Sequence, residues 1–483
     1  MILQGFRNAI AGGDTPARLR DGLIGEGMPI PTPFGTKKLI YADYTASGRA
    51  LRQVEEFVST RVLPYYANSH SENSFCGAYT TGLREEARRV IARETNAGPG
   101  CSVIFTGSGA TSAVNRLAAL SGIADAANRA RPAVFIGPYE HHSNILPWRE
   151  SGAEVIEIDE APEGGPDLAM LEAELTARAD GRLLVGSFSA ASNVSGILTD
   201  ADAVTRLLKQ HSALAFWDYA GAGPYVRIDM TPGKGLEKDA VFLSPHKFPG
   251  GPGASGVLVI RDAAVRATRP TWPGGGSVAY VSPWSHDYLP SVIEREEAGT
   301  PNIVGDIRAA LAFLVKAAVG QDFITRRDRE LKERAEAVWR GNPRLRLLGA
   351  GKSNRLPIFS LAVRDGDGGY IHHQLFTRML SDVTGVQARG GCVCAGPYGH
   401  RLLNVGRERS EAIRGAILAG REIEKPGWVR LNFSYLMDDA TADHVIDSVD
   451  MLARKAASFA GHYSGDETSA RFSGAAAADR QLA

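Results

Sequence analysis

Short runs of β-branched and aliphatic residues alternate with longer amphipathic stretches between about residue 51 and residue 320. The apolar runs have the length and composition of buried strands. They predict strands at 102–106, 133–137, 154–158, 183–188, 213–217, 240–243 and 256–260. The clearest amphipathic stretches predict helices at 83–94, 111–120 and 201–210. This alternation is typical of βαβ units and predicts a mainly parallel sheet covered by helices.

The pattern changes on either side of this region. The first residues are rich in Gly and Pro and show no long period, whereas a long helix is expected from Asn302 to Val319. The last residues are rich in Gly, Ala and Ser, which is typical of disorder. We therefore expect an N-terminal extension, a large domain, a smaller α/β C-terminal domain and a disordered tail, at 1–40, 41–320, 321–460 and 461–483.

Composition narrows the class of protein. The 483 residues are 44% hydrophobic and 22% charged, as in ordinary globular proteins. Basic and acidic residues number 54 each, so the net charge of zero argues against a nucleic-acid or membrane-surface partner. No apolar run reaches the ~18–20 residues that cross a bilayer, and the N-terminus lacks a signal-peptide pattern. We expect a cytoplasmic protein whose four cysteines are free thiols.

Polar residues follow the predicted strands at the ends where parallel sheets place their sites. Lys247 lies in Ser244-Pro-His246-Lys247, directly after the sixth predicted strand. Its amine can form a Schiff base with an aldehyde cofactor, and Ser244 and His246 can hold a phosphate. Asp218 ends the preceding strand with the carboxylate that a protonated pyridine nitrogen needs. Each feature alone is typical of a surface lysine or an ordinary turn, but together they predict pyridoxal 5'-phosphate (PLP).

Three further segments follow strands. The turn Thr106-Gly-Ser-Gly-Ala-Thr111 leads into a helix, where backbone N–H groups can bind an anion. His141 can stack on a pyridine ring, although tandem histidines also serve as metal ligands or as structural residues. Asn193 can donate to the phenolic oxygen of the cofactor, although asparagine is also common in turns.

A glycine-rich loop carries two of the cysteines, in Arg389-Gly-Gly-Cys392-Val-Cys394-Ala-Gly-Pro. Arg389, and Arg430 on a later strand, can bind a carboxylate, although a strand arginine is more often in a salt bridge. A thiol on such a loop can reach a substrate. In an extended segment Cys392 and Cys394 would point to opposite faces. The loop with His400 nearby could instead hold zinc, without an evident fourth ligand, or be a plain surface loop.

The chain resembles the class V aminotransferase family of fold-type I PLP enzymes over about residues 40–460, and most of all the cysteine desulfurases and selenocysteine lyases. Four motifs occur in the family's order and rough spacing: Ser244-x-His246-Lys247, Glu140-His141-His142-x-Asn144, Glu297-Ala-Gly-Thr-Pro-Asn302 and Arg389…Cys394-Ala395. The chain departs from the family at Gly221, where histidine or glutamine is usual.

The resemblance implies a role for each candidate residue. The implied cofactor-binding residues are Ala110, Thr111, His141, Asn193, Asp218, Ser244, His246, Lys247 and Thr300. The implied substrate-binding residues are Ala46, Asn193, Arg389 and Arg430. The implied catalytic residues are Lys247 as the Schiff-base lysine, His141 stacked on the ring and Cys394 as the sulfur acceptor. Thr300 would reach the active site of the partner in a homodimer, and no metal is expected.

The resulting expectation is a PLP-dependent, cysteine desulfurase-like enzyme of the fold-type I α/β class. It would take sulfur from L-cysteine through an enzyme persulfide, release alanine and pass the sulfur to an acceptor protein. A class V aminotransferase or a C–S lyase without a persulfide step is the alternative. A non-catalytic scaffold of the same fold is a more remote one.

Overall fold

The computed structural model describes residues 2–69, 72–125, 130–352 and 354–474. Its α-helices, in chain order, are α1 (Ile2–Ile10), α2 (Thr15–Asp21), α3 (Arg52–Phe57), α4 (Phe75–Glu94), α5 (Gly109–Leu120), α6 (Leu146–Glu150), α7 (Leu168–Thr176), α8 (Ala201–Gln210), α9 (Val292–Glu296), α10 (Ile303–Val319), α11 (Gln321–Trp339), α12 (His373–Met379), α13 (Gly396–Leu402), α14 (Arg407–Leu418) and α15 (Asp439–Ala460). Single 3-10 or π-helical turns lie at Val58–Val62, Leu63–Tyr65, His142–Asn144, Pro245–Lys247, Asp262–Ala264, Leu380–Thr384 and Glu422–Glu424.

The strands, in chain order, are β1 (Pro29–Ile30), β2 (Lys37–Lys38), β3 (Ile40–Tyr41), β4 (Cys101–Gly107), β5 (Ala133–Ile136), β6 (Glu154–Glu157), β7 (Leu184–Ser189), β8 (Leu214–Asp218), β9 (Ala240–Leu243), β10 (Gly256–Arg261), β11 (Val278–Val281), β12 (His286–Tyr288), β13 (Leu345–Leu347), β14 (Ile358–Arg364), β15 (Tyr370–Ile371), β16 (Val386–Gln387), β17 (Arg389–Gly391), β18 (Trp428–Asn432), β19 (Tyr463–Asp466) and β20 (Arg471–Gly474). All seven strands predicted for the large domain are present, each within one residue of its predicted ends.

These seven strands form one sheet in the order β4-β10-β9-β8-β7-β5-β6. The pairs among β5 to β9 are parallel, and β10 runs antiparallel to both of its neighbours. Strands β5, β8, β9 and β10 are mainly apolar and buried, as expected of a sheet that helices cover on both faces, whereas β6 is half-buried. Apolar side chains of α5 pack with those of β5, β9 and β10 in one core. The expectation of a mainly parallel sheet with flanking helices is confirmed.

The chain divides into two compact units. The first comprises Met1–Leu23, Ser47–Ala191 and Leu198–Ile324, and the second comprises Ile24–Ala46, Ser192–Ile197 and Thr325–Ala483. Residues 1–23 of the expected extension over 1–40 thus belong to the first unit and residues 24–40 to the second. In the first unit, the Glu86 carboxylate accepts hydrogen bonds of 2.9 Å from the N–H groups of Ile2 and Leu3, which fixes the start of α1.

The second unit has its own sheet, in the order β13-β14-β18-β17, with β15 added beside β14. Its core joins apolar residues of this sheet with residues of α11, α12 and α15. Disorder was expected from residue 461 onward, but β19 and β20 lie beyond that residue and pair as an antiparallel hairpin. Residues 475–483 of that predicted tail lie outside the described residues.

Candidate active site

Lys247 lies in the first unit, in the 3-10 turn Pro245–Lys247 that follows β9. The turn is held from outside by the Gly48 N–H group, which donates to the His246 carbonyl oxygen over 2.8 Å. A Cβ atom at Gly48 would overlap the carbonyl group of Phe248, so only glycine allows this close approach. The lysine is thus placed by backbone contacts, at the sheet edge where the sequence predicted it.

A small polar cradle forms where β4 leads into α5. The Ala110 N–H donates to Ser244 Oγ over 2.9 Å. Gly109 has a φ of +60°, and a Cβ built there would lie 3.1 Å from Ser244 Oγ and 3.7 Å from His246 Nε2. The missing side chain leaves room beside the N-terminus of a twelve-residue helix, which favours an anion. The cradle therefore fits the phosphate of PLP.

His246 can serve this cradle as a neutral imidazole. Burial, and then the positive charge of Lys247, lowers the pKa of His246 to about 4. At neutral pH the ring carries one N–H donor and one acceptor nitrogen, so it can donate one hydrogen bond to a phosphate oxygen.

Asp218 ends β8 and is buried with 6% exposure. Burial raises the pKa of its carboxyl group, while the Ala220 N–H, which donates to Oδ1 over 2.7 Å, and the charge of Lys247 oppose that shift. A buried carboxylate is costly unless it is paired with a cation. A protonated pyridine nitrogen would supply that charge, so the residue fits the cofactor.

His141 lies directly before the 3-10 turn His142–Asn144, which follows β5. Its Nδ1 accepts a hydrogen bond from the Ser143 N–H over 3.1 Å, which fixes the orientation of the imidazole ring. The Ser143 hydroxyl shares a 2.7 Å hydrogen bond with Thr111 Oγ1. Ser143 thereby ties His141 to the helix of the phosphate cradle, a link that the sequence did not indicate.

Glu140 is a buried residue for which sequence reasoning gave no role. Its carboxylate accepts from the Ser189 N–H over 2.8 Å, the Gly137 N–H over 3.2 Å and Asn144 Nδ2 over 2.7 Å, and also from the Ser189 hydroxyl. Burial raises its pKa to about 7, with the hydrogen bonds from Ser189 and Asn144 opposing that shift. Glu140 fixes the segment of His141 against β7.

The second unit holds Arg389 and Arg430, the two arginines expected to bind the substrate carboxylate. Asp43 Oδ1 accepts from Arg430 Nη2 and Asp43 Oδ2 from Arg389 Nε, each over 2.9 Å. The Arg430 side chain is 4% exposed and that of Arg389 is 52% exposed. The structure therefore pairs both candidate carboxylate binders with one aspartate, and Asp43 was missed because 346 and 387 residues separate it from its partners.

Asn193 belongs to the second unit although it follows a strand of the first. Its Nδ2 donates to the Val393 carbonyl oxygen over 2.9 Å. Its Oδ1 is buried and has no hydrogen-bond partner among the described residues. Asn193 thus positions the turn that carries the two cysteines.

Cys392 and Cys394 do not lie on an extended segment, and that expectation is wrong. The Ala395 N–H donates to the Cys392 carbonyl oxygen over 3.1 Å, which closes a four-residue turn. Val393 and Cys394 have φ angles of +44° and +57° inside this turn. Cys394 is exposed, whereas Cys392 is half-buried. The contrast in exposure, rather than strand alternation, separates the two thiols.

His400 does not support the zinc alternative. Its Nδ1 lies 2.8 Å from the Gly396 carbonyl oxygen and its Nε2 lies 2.8 Å from Ser410 Oγ, so both ring nitrogens are engaged. Over the part of the chain that the structure describes, there is no group of three or more metal-ligating side chains.

The two remaining candidates, Thr300 and Ala46, are exposed and half-buried, respectively. Thr300 is exposed in the turn before α10, next to Gly299, whose φ is +81°. Ala46 is half-buried, and its N–H donates to the Asp43 carbonyl oxygen over 2.9 Å. The first unit thus carries Ala110, Thr111, His141, Asp218, Ser244, His246, Lys247 and Thr300, and the second carries Ala46, Asn193, Arg389, Arg430 and Cys394.

Comparison with known proteins identifies the family to which this chain belongs. The model of the Aminotransferase class-V family matches residues 40–420. The chain belongs to this family. A protein of Streptomyces coelicolor named probable cysteine desulfurase is 30% identical over 367 residues, which cover 74% of this chain and 84% of the relative. One of Pyrococcus abyssi with the same name is 32% identical over 303 residues, covering 62% and 72%.

Solved structures agree on the fold. The apo cysteine desulfurase of Thermococcus onnurineus superposes with a TM-score of 0.71 at 23% identity, over 86% of this chain and 95% of that one. The Escherichia coli cysteine desulfurase CsdA gives a TM-score of 0.69 at 21% identity, over 92% and 100%. The fold-type I class is confirmed. No helix among the described residues is long and apolar enough to cross a membrane.

Proposed function

We propose that this protein is a PLP-dependent enzyme that removes sulfur from L-cysteine, leaving a persulfide on Cys394 and releasing alanine. The observation that carries the cofactor assignment is the set of Lys247, buried Asp218 and the Ser244–Gly109 cradle at one edge of one sheet. The names of the relatives and the exposed Cys394 on the turn beside Arg389 support the substrate and the sulfur step.

The first unit would hold the cofactor. Ser244, His246, Thr111 and the N–H groups at the start of α5 would bind the phosphate, and Lys247 would bond to the aldehyde carbon. Asp218 would keep a proton on the pyridine nitrogen. When bound, PLP supplies a ring that withdraws electrons from the substrate Cα.

The proton and the carboxylate need residues of this chain. The Lys247 amine, displaced by the substrate amine, would take the Cα proton. Arg430 and Arg389 would bind the substrate carboxylate, since guanidinium groups match its two oxygens. Arg389 donates to Asp43 through its Nε, and half of the Arg389 side chain is exposed, which leaves it accessible to a carboxylate.

The transfer of sulfur from the substrate to Cys394 needs no external oxidant. The Cys394 thiolate attacks the sulfur of the bound cysteine, so an S–S bond forms as the substrate Cβ–S bond breaks. The carbon skeleton keeps the electron pair of the broken bond and takes up a proton, and it leaves as alanine. The nearby Arg389 would favour the thiolate form that this attack requires.

Two wider proposals accompany this function. We propose a homodimer in which Thr300 contributes to the active site of the partner, because it is exposed in a turn before α10. We also propose a sulfur-acceptor protein and a cytoplasmic location, because the persulfide must be unloaded and the Cys394 thiol must stay reduced.

Product analysis tests the proposal. The purified protein, incubated with L-cysteine, should form alanine and a persulfide that alkylating reagents trap on Cys394. Cys394→Ser should lose sulfur transfer by ~10³-fold or more while keeping the absorbance of bound PLP, as expected when the nucleophile alone is removed. Cys101→Ser in the first unit is the matched control.

Other products would identify another reaction. Pyruvate, ammonia and free sulfide from cysteine, unchanged in Cys394→Ser, would establish a C–S lyase. A keto acid formed at the expense of a second keto acid would establish an aminotransferase. Absence of any bound or added PLP chromophore would leave the scaffold alternative.

A further inference from the structure

A cavity of about 250 Å³ lies in the second unit beside the cysteine turn. Cys392 lines it together with the apolar side chains of Leu403, Ile413, Ile417 and Trp428. These residues come from the cysteine turn, from the residue that follows α13, from α14 and from β18. The cavity therefore has a thiol on an otherwise largely apolar wall.

The cavity wall includes Trp428, whose indole N–H is buried without an acceptor within the described ranges of the chain. Trp428 is 1% exposed. A buried N–H group without an acceptor is destabilising. Arg414 and Lys425 also line the cavity, and positive charge favours the anionic form of a sulfur group. These features suit an occupant that is polarisable, weakly hydrated and negatively charged.

The backbone of the turn is strained. Val393 is β-branched and has a φ of +44°, a region that such residues rarely adopt, and Cys394 follows at +57°. The hydrogen bond from Asn193 to the Val393 carbonyl oxygen holds this conformation. Cys392 and Cys394 thus lie at positions one and three of a single turn. Cys392 lines the cavity, and Cys394 is exposed.

We propose that Cys392 takes the terminal sulfur from the Cys394 persulfide and holds it at the cavity wall. The proposal rests on the desulfurase function proposed above. The Cys392 thiolate attacks the outer sulfur of the persulfide, so that a new S–S bond forms at Cys392. The S–S bond at Cys394 breaks, Cys394 leaves as a thiolate, and the transferred sulfur keeps its proton.

The transfer has a chemical use. It returns Cys394 to the thiolate form while the sulfur rests where water and charged reductants have less access. The half-buried Cys392 persulfide would then react with an acceptor at the cavity, and the exposed Cys394 would be ready for the next cysteine.

Peptide mapping tests this transfer. The PLP-loaded protein is incubated with L-cysteine, alkylated with iodoacetamide at successive times and digested with trypsin, which cleaves after Arg389 and Arg401. Both cysteines then lie on one peptide, and fragmentation between them shows which one carries the extra sulfur. We expect the sulfur first on Cys394 and later on Cys392. In Cys392→Ser, and in Cys392→Ala if the serine variant folds poorly, it should stay on Cys394.

A reductant provides a second readout. Tris(2-carboxyethyl)phosphine, which is charged and water-soluble, should remove sulfur from the wild-type protein at least several-fold more slowly than from Cys392→Ser. Cys76→Ser, which lacks a thiol of the first unit, should behave like the wild type.

Each outcome separates the two proposals. Alanine formation with the extra sulfur found on Cys394 at all times would overturn the transfer and leave the desulfurase function standing. A Cys392–Cys394 disulfide with free sulfide would also overturn the transfer, since it results from attack on the inner sulfur. If neither alanine nor extra sulfur appears, the proposed function fails and the transfer fails with it.

Discussion

Lys247 and Glu140 are both held by the backbone or side chains of residues distant in the sequence. The His246 carbonyl beside Lys247 accepts from Gly48, and the Glu140 carboxylate accepts from Ser189. At the scale of the residue, the chemistry of each group is thus set by partners from another segment, and single substitutions can test it.

We expect Lys247→Ala to lose the covalent link to PLP and turnover by about 10³-fold or more, because the variant has neither the amine nor the proton acceptor. Borohydride reduction followed by mass spectrometry measures the link. The exposed Lys234→Ala is the control and should retain it. A reducible PLP adduct in Lys247→Ala would assign the role to another lysine.

We expect Glu140 to make stability fall as the pH rises. Its folded pKa of about 7 exceeds its usual value of 4.5, so the folded state binds more protons than the unfolded state between these two values. Stability should therefore decrease from about pH 4.5 to 7, by at most about 1.4 kcal/mol per pH unit. Glu140→Gln should remove that slope in melting temperatures, and it should also lower them, because its amide would face the Asn144 donor.

The exposed Glu150→Gln is the control for Glu140→Gln and should keep the wild-type pH dependence. An unchanged slope in Glu140→Gln would show that other groups cause it.

At the scale of the element, a buried charge cluster joins α4 to the turn that carries Thr300. Glu297 pairs with Arg88 over 2.9 Å and with Arg84, and it accepts from the Phe105 N–H over 2.8 Å. Arg84 also pairs with Asp306 of α10 over 2.7 Å. The motif Glu297–Asn302 is therefore anchored by its first residue, while Gly299, Thr300 and Asn302 are exposed.

We expect Glu297→Gln to destabilise the protein by about 3–5 kcal/mol, because two buried guanidinium groups each lose one of their carboxylate partners. Burial alone would raise the pKa of Glu297, but Arg88 and Arg84 lower it below its usual value of 4.5. The stabilisation should thus be present above pH 4.5 and be lost as the pH falls further. Melting temperatures against pH measure both effects.

The neighbouring Glu294→Gln is the control for the Glu297 prediction, since Glu294 is exposed on α9. Equal losses in the two variants would contradict a special role for the buried cluster.

At the scale of the whole molecule, three exposed aromatic residues within one segment of the first unit support the proposed dimer. Trp284, between β11 and β12, is 90% exposed, Trp272 is 67% exposed and Tyr280 is 58% exposed. Exposed apolar patches commonly mark interfaces, and closed twofold dimers are the commonest assembly.

We expect sedimentation velocity to show a dimer, and the double variant Trp284→Glu, Tyr280→Glu to shift it toward monomer, since charge would be buried at the interface. Phe75→Glu, another exposed aromatic position, serves as the comparison. An active wild-type monomer would contradict both the dimer and the role of Thr300.

Sequence alone was sufficient to predict the strands of the large sheet and the strand-end positions of Asp218 and Lys247. Strands such as 240–243 and the turn 106–111 are encoded by local apolar runs and glycines, a pattern that is complete within a few neighbouring residues. Lys247 and Asp218 could be placed because a parallel sheet brings strand ends to one edge.

Only the tertiary structure decided what joins distant segments. It assigned 24–46 and 192–197 to the second unit, paired Asp43 with Arg430 across 387 residues and joined Asn193 to Val393 across 200. It also replaced the expected extended cysteine loop with a turn. No local period encodes these contacts, because a buried charge or amide takes whichever partner the packed chain brings to it.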